Sequence, residues 1–109
     1  MSGFMKMDMG LIVAERVIGV RLLSGRDTVI TVKLGLPVPI DSMSGSSVAA
    51  PYQIAFEERT RTFRAIGIDG FQAIQLAMKM IEIELDSFAA SSGASMTEDT
   101  ESELGIRFR

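Results

Sequence analysis

Residues 69–88 repeat their apolar side chains at helical spacing, whereas the apolar segments before them alternate. At 100° per residue, the polar side chains of this segment fill a stripe roughly 80° wide. The stripe consists of Gln72, Gln75, Lys79, Glu82 and Asp86. A helix that lies on a sheet needs only one apolar face, so this helix has apolar surface to spare. That surplus limits the folds open to the chain more than any other feature.

Alternating apolar residues before the helix predict strands. Residues 11–23 and 28–34 form one hairpin around a turn at 24–27. Residues 52–57 and 60–66 form a second hairpin. We therefore predict an α+β fold, in which an antiparallel sheet of four or five strands carries one long helix across one face.

Prolines and small residues divide the two predicted hairpins. Pro37 and Pro39 each lack a backbone donor and interrupt the sheet, and residues 41–50 are small and predict a loop. The single domain spans residues 11–90 and follows a flexible lead-in at 1–10. After it we predict an acidic linker at 91–103 and a short terminal strand at 104–109.

The helix start carries capping signals. Asp69 is placed to accept from the first backbone amides, and Gln72 is placed to reach back. Free backbone amides at a helix start can bind an anion, but here Asp69 occupies those amides and its negative charge repels anions. We therefore predict a capped helix start rather than an anion site.

We expect the two apolar flanks of the helix to contact different surfaces. Ile74, Ile81 and Leu85 form the flank that we expect to face the sheet. The other flank is the candidate partner interface, and it comprises Ala73, Leu76, Ala77, Met80, Ile83 and Glu84. Two alternatives stay open: a second copy of the chain covers this flank, or the chain's own residues 36–50 and 104–109 do.

The composition excludes several catalytic chemistries. The chain has no cysteine and no histidine, so it lacks thiolate and imidazole catalysis and the usual zinc ligands. The acidic residues near the C-terminus do not have the spacing of a calcium loop. Tyr52, Gln53 and Glu57 carry hydrogen-bonding groups, yet the sequence gives none of them a paired partner. We expect no enzyme, metal or cofactor.

Arginines form the one basic cluster of the chain. Arg59, Arg61 and Arg64 follow one another on the fourth strand, and Arg107 and Arg109 join them if the terminal strand pairs beside it. A phosphate or an acidic partner would suit five arginines. A solvated hairpin, balanced by neighbouring glutamates, is the favoured alternative.

Charge and hydropathy limit the partners. The net charge of −3 favours neither nucleic acid nor an anionic membrane, and no apolar run reaches the length of a membrane span. We expect a cytoplasmic protein whose partner is another protein or a second copy. A second hypothesis is a small-molecule site between helix and sheet, lined by Phe56, Met78 and Met80.

Three motifs resemble a family of short bacterial proteins known only as a domain of unknown function. They are Leu34-Gly35-Leu36-Pro37, Pro51-Tyr52-Gln53-Ile54 and Gly67-Ile68-Asp69-Gly70-Phe71-Gln72-Ala73. The resemblance covers residues 14–88 and extends to 104–106. This chain departs from the family's pattern at Gly70, where serine is expected, and in the small-residue segment 41–50. The resemblance implies no catalytic residue, and it implies an accessory role, regulatory or immunity-like, through binding a partner.

Overall fold

The computed structural model describes residues 9–42 and 45–96. Their elements, in chain order, are β1 (Ile12–Arg21), β2 (Asp27–Gly35), β3 (Val38–Ser42), β4 (Gly45–Phe56), β5 (Arg59–Gly67), α1 (Gly70–Ser92) and β6 (Ser95–Met96). The strands form one curled antiparallel sheet, and α1 packs against β4 and β5. The predicted α+β architecture is confirmed.

The first hairpin is confirmed. β1 pairs antiparallel with β2, and Ile18 lies opposite Ile30. Both side chains are buried, because alternate residues of paired strands share the inner face of the sheet. On the other side of β2, Val32 lies opposite Ile54 of β4, so the apolar inner face continues across the sheet.

The helix is confirmed, and its predicted caps form. The Asp69 carboxylate accepts a hydrogen bond of 2.8 Å from the Gln72 amide, and the Gln72 side chain accepts one of 2.8 Å from the Ile68 amide. The helix ends at Gly93, whose φ of 75° lies in the left-handed region that terminates helices. Its last residue, Ser92, lies four residues beyond the predicted end at residue 88.

The segment predicted as a loop holds strand structure instead. Residues 38–42 form β3, and the first residues of β4, from Gly45, pair with it. β4 also pairs with β5 along its length, from Val48 opposite Gly67 to Phe56 opposite Arg59. Small residues have low strand propensity, but the pairing between β3 and β4 outweighs local propensity here.

Pro51 lies in the middle of β4, opposite Arg64 of β5. One edge of β4 pairs with β3 up to Ala49 and with β2 from Tyr52 onward. Pro51 falls between these two partners, where the sheet needs no donor from it on that edge. The proline therefore marks the point at which β4 changes neighbours.

The core lies between the inner face of the sheet and α1. Ala73, Ala77, Ile81 and Leu85 are the buried residues of the helix. They recur every four residues, and the two alanines bring the start of the helix close to the sheet. As predicted, Ile81 and Leu85 face the sheet, and Ile74 is half-buried beside them.

The chain ends are described only in part. The helix continues to Ser92 and β6 pairs with β1, so the first residues of the predicted linker 91–103 belong to the folded part. Most of the predicted lead-in and the whole predicted strand 104–109 lie outside the described residues.

Candidate functional site

A cleft of about 690 Å³ lies between the second half of α1 and the turns of the two hairpins. Its apolar lining consists of Ile30, Ile54, Phe56, Leu85 and Phe88. The rings of Phe56 and Phe88 lie 4.8 Å apart, centre to centre, at 57° to each other. This is a tilted aromatic pair, and it joins the end of β4 to the end of α1.

Charged side chains form the rest of the lining. They are Arg26, Glu57, Glu58, Arg59, Arg61 and Glu84. Arg26 Nη1 lies 2.8 Å from Glu57 Oε2, and Arg61 Nη1 lies 3.3 Å from Glu84 Oε1. Two of the three carboxylates are therefore already paired with an arginine.

Glu57 is held in an unusual conformation. It is the only non-glycine residue with positive φ in the described part of the chain, and its φ is 55°. The hydrogen bond from Arg26 lowers the pKa of the Glu57 carboxyl, and the Arg26 charge and a hydrogen bond from Thr28 act in the same direction. The carboxylate is thus stabilised in its ionised form at the mouth of the cleft.

The sheet divides the predicted arginine patch. Arg59 lies opposite Phe56 and Arg61 opposite Ile54, so both share the inner face with the cleft. Arg64 lies opposite Pro51, which places it on the outer face of the sheet. The prediction of one patch that includes Arg64 was wrong, because residues an odd number apart in a strand point to opposite faces. Arg107 and Arg109 lie outside the described residues.

Tyr52 and Gln53 do not combine into a site. Tyr52 is buried in the core, and its ring stacks 5.5 Å from that of Phe63. Burial raises the pKa of the Tyr52 hydroxyl, and the charge of Glu84 adds to this. Gln53 lies on the outer face and donates a 3.0 Å hydrogen bond to Thr62. The two side chains therefore serve packing and sheet pairing on opposite faces.

The cavity predicted between helix and sheet exists, but with a different lining. Phe56 lines it as predicted, whereas Met78 and Met80 are not among its residues. Met80 faces outward, and the cleft lies further along the helix, beside Leu85 and Phe88. The lining residues that the sequence interpretation missed include Arg26 and Phe88, which only the folded chain brings to Phe56.

The predicted partner interface on α1 is split. Ala73 and Ala77 are 0% exposed and pack in the core, so assigning them to an outer surface was wrong. Glu84 pairs with Arg61 of the same chain. Leu76, Met80 and Ile83 stay exposed, and we call these three the outer flank. The burial of the two alanines could have been predicted from their spacing, because they continue the four-residue repeat of Ile81 and Leu85.

Within residues 9–42 and 45–96, no group of three or more acidic residues is placed to hold a metal ion. No helix in that part of the chain has both the length and the apolar character to span a membrane. The acidic residues 98–103 lie outside it.

The comparisons with known proteins identify a family and nothing closer. No match was found among curated proteins or among solved structures. The sequence profile of the family described as Domain of unknown function (DUF6968) matches residues 14–108. Because this match covers most of the 109 residues, the chain belongs to the DUF6968 family.

Proposed function

We propose that this protein is a non-enzymatic protein-interaction module with an accessory or regulatory role, and that it associates with a second copy of itself through the outer flank. The exposure of that flank carries the proposal. Leu76, Met80 and Ile83 are 39%, 39% and 49% exposed. Three large apolar side chains at this spacing form a continuous stripe along one side of the helix.

The described residues leave this stripe uncovered. β3 and the first part of β4 occupy the segment that was a candidate cover, and the outer flank remains exposed with both in place. Contiguous exposed apolar surface on a small domain is typical of interaction sites. Burying the stripe would stabilise the complex by about 25 cal/mol for each Å² of apolar surface removed from water.

A second copy fits the stripe by symmetry. If two α1 helices pack antiparallel about a two-fold axis near Met80, Leu76 of each copy faces Ile83 of the other. Lys79 borders the stripe and keeps its charge in water, since long side chains reach out past an apolar contact. The outer flank of one copy then contacts the outer flank of the other, as an isologous interface requires.

Two titratable groups, Glu57 in the cleft and Tyr52 in the core, support a non-enzymatic role. Glu57 is paired with Arg26, and the hydrogen bond from Arg26 lowers the pKa of its carboxyl, which makes the carboxylate a weaker base. The pKa of Tyr52 is raised, which keeps its hydroxyl protonated near neutral pH. A general base or nucleophile works best with a pKa near the operating pH, and these groups are held away from it.

Sedimentation analysis over a wide concentration range tests the self-association. We expect the wild type to dimerise and Leu76→Lys to stay monomeric and folded. Phe71→Lys is the matched control, because Phe71 is an exposed apolar residue of the same helix outside the outer flank. A wild type that stays monomeric at high micromolar concentration would overturn the proposal, and so would equal effects of the two variants.

Small-molecule binding is a second candidate function, and the cleft is the observation that favours it. Its volume lies within the range of about 300–1,000 Å³ that is typical of ligand pockets. An apolar lining with charged groups at its edge is also typical of such pockets. A ligand screen by thermal unfolding tests this candidate, because a ligand that binds only the folded state raises the midpoint. The absence of any shift across a chemically diverse set would count against it.

A further inference from the structure

The charges of the cleft are only partly neutralised by one another. Glu57 and Glu84 each have an arginine partner. Arg59, by contrast, forms no ion pair with any of the described residues. Glu58, in the turn between β4 and β5, is the one described lining carboxylate outside these two ion pairs. As far as the described residues go, the lining therefore offers a guanidinium without an ion-pair partner next to an apolar surface.

Arg59 and Arg61 are placed to act together. They lie two residues apart on the inner face of β5, a separation of about 7 Å along a strand. Their cross-strand partners, Phe56 and Ile54, belong to the apolar lining. Each guanidinium thus projects beside the surface on which the apolar part of a ligand would lie.

Arg61 keeps donors available despite its contact with Glu84. Only its Nη1 is bonded to Glu84, at 3.3 Å, whereas a guanidinium carries five N–H donors. Its side chain is more than half exposed, and an exposed ion pair of this length is weak. The Phe63 ring lies 5.0 Å from the Arg61 guanidinium carbon and supports it from one side.

We propose that the cleft binds a small organic anion, with its apolar body on Phe56 and Phe88 and its acidic group on Arg59 and Arg61. This rests on the second candidate function, that the cleft is a ligand site. A carboxylate, sulfonate or phosphate ester supplies the acidic group equally well, because a planar guanidinium fork binds each of them. A cationic ligand would face Arg59 and Arg61 and would find, among the described lining carboxylates, only Glu58 outside the two ion pairs.

A matched pair of fluorescent probes tests the proposal. Anilinonaphthalene sulfonate carries an acidic group on an aromatic skeleton, and phenylnaphthylamine has the same skeleton without that group. We expect the folded wild type to bind the sulfonate at least about tenfold more tightly, since charge-assisted hydrogen bonds contribute about that factor or more. The double variant Arg59→Gln/Arg61→Gln should lose this preference and bind both probes equally.

Two further variants act as controls. Arg64→Gln makes the same change of charge on the same strand but on the outer face, so it should leave both affinities unchanged. Phe88→Ala removes part of the apolar lining and should weaken both probes together. Unfolding curves of every variant show that the probes report on folded protein.

The outcomes distinguish a failure of the anion specificity from a failure of the cleft as a ligand site. Suppose that Phe88→Ala still weakens binding of both probes. Equal affinity of the wild type for the two probes would then overturn the anion specificity alone. Equal effects of Arg59→Gln/Arg61→Gln and of Arg64→Gln would do the same. If neither probe binds, or if Phe88→Ala has no effect, the cleft is not the ligand site, and the second candidate function fails with it.

Discussion

The Arg26 guanidinium lies 2.8 Å from the Glu57 carboxylate and ties the turn after β1 to the turn after β4. The two turns are far apart in sequence, but β2 pairs with both β1 and β4 and brings them together. Thr28 adds a second hydrogen bond to the same carboxylate. One carboxylate thus holds the two turns together beside the cleft, whose lining also includes Phe56 and Phe88.

Acid should weaken this connection. The pKa of Glu57 is lowered in the folded protein, chiefly by its hydrogen bond from Arg26, relative to about 4.3 in an unfolded chain. A lowered carboxyl pKa gives stability that is present above the unfolded pKa and is lost as the pH falls through the folded one. We expect Glu57→Gln to be less stable than the wild type at neutral pH, and this difference to shrink below about pH 4. Urea unfolding at a series of pH values measures it.

Asp27 gives the control for that experiment. Its pKa is lowered by a hydrogen bond from Arg21 within the first hairpin, away from the cleft. Glu57→Gln should leave this part of the pH dependence in place, and Asp27→Asn should remove it. A difference between wild type and Glu57→Gln that stays constant down to pH 3 would show that the Arg26 contact does not form in solution.

The secondary structure was largely predictable because local patterns determined it. Ile18 and Ile30 lie in segments whose alternating apolar residues predict strands. Asp69 and Gln72 are the capping residues that indicate the helix start. β3 was missed because Pro37 and Pro39 indicated a break in the sheet and small residues follow them, and only pairing with β4 shows that this segment is a strand. Such pairing is a non-local effect, so a sequence window does not contain it.

The cleft was predictable only in outline. A space between helix and sheet was expected, but the sequence did not show that Arg26, Phe56 and Phe88 would meet, since each comes from a different element. The opposite placement of Arg61 and Arg64 was available from strand alternation alone. The burial of Ala73 was likewise available from its spacing with Ile81.

Gly67 should be intolerant of a side chain. A Cβ at this position would lie 2.6 Å from the Ala73 backbone nitrogen, where β5 ends against the start of α1. We expect Gly67→Ala to lower the free energy of unfolding by about 2 kcal/mol, because backbone must shift to make room. Gly70→Ala is the control, since the nearest atom to its added Cβ is 4.0 Å away. Denaturant unfolding compares them, and equal stabilities would contradict the close approach of helix and sheet.

Nucleic acid should not bind usefully to the arginines of β5. Arg59 and Arg61 face the cleft, Arg64 faces the other side of the sheet, and the net charge of the chain is −3. Phosphate binding needs several cations on one surface, and it weakens steeply with salt. Fluorescence anisotropy with labelled duplex and single-stranded probes should show no micromolar affinity at physiological salt. Micromolar affinity that falls as salt is added would contradict this expectation.

Ile81 and Ile83 provide the sharpest test of how the helix is oriented. They are two residues apart on α1, yet Ile81 is 2% exposed beneath the sheet and Ile83 is 49% exposed on the outer flank. Ile81→Asp buries an unpaired charge, so it should cost more than about 3 kcal/mol and unfold the domain. Ile83→Asp should cost less than about 1 kcal/mol, because water still reaches the new carboxylate.

Thermal unfolding in dilute solution, where association contributes little, compares the two variants directly. Comparable losses from both would show that the outer flank is covered within the chain, and a folded Ile81→Asp would show that the helix presents a different face to the sheet. At high concentration, Ile83→Asp should remain a folded monomer while the wild type dimerises, because the carboxylate would meet the apolar stripe of the second copy without a partner.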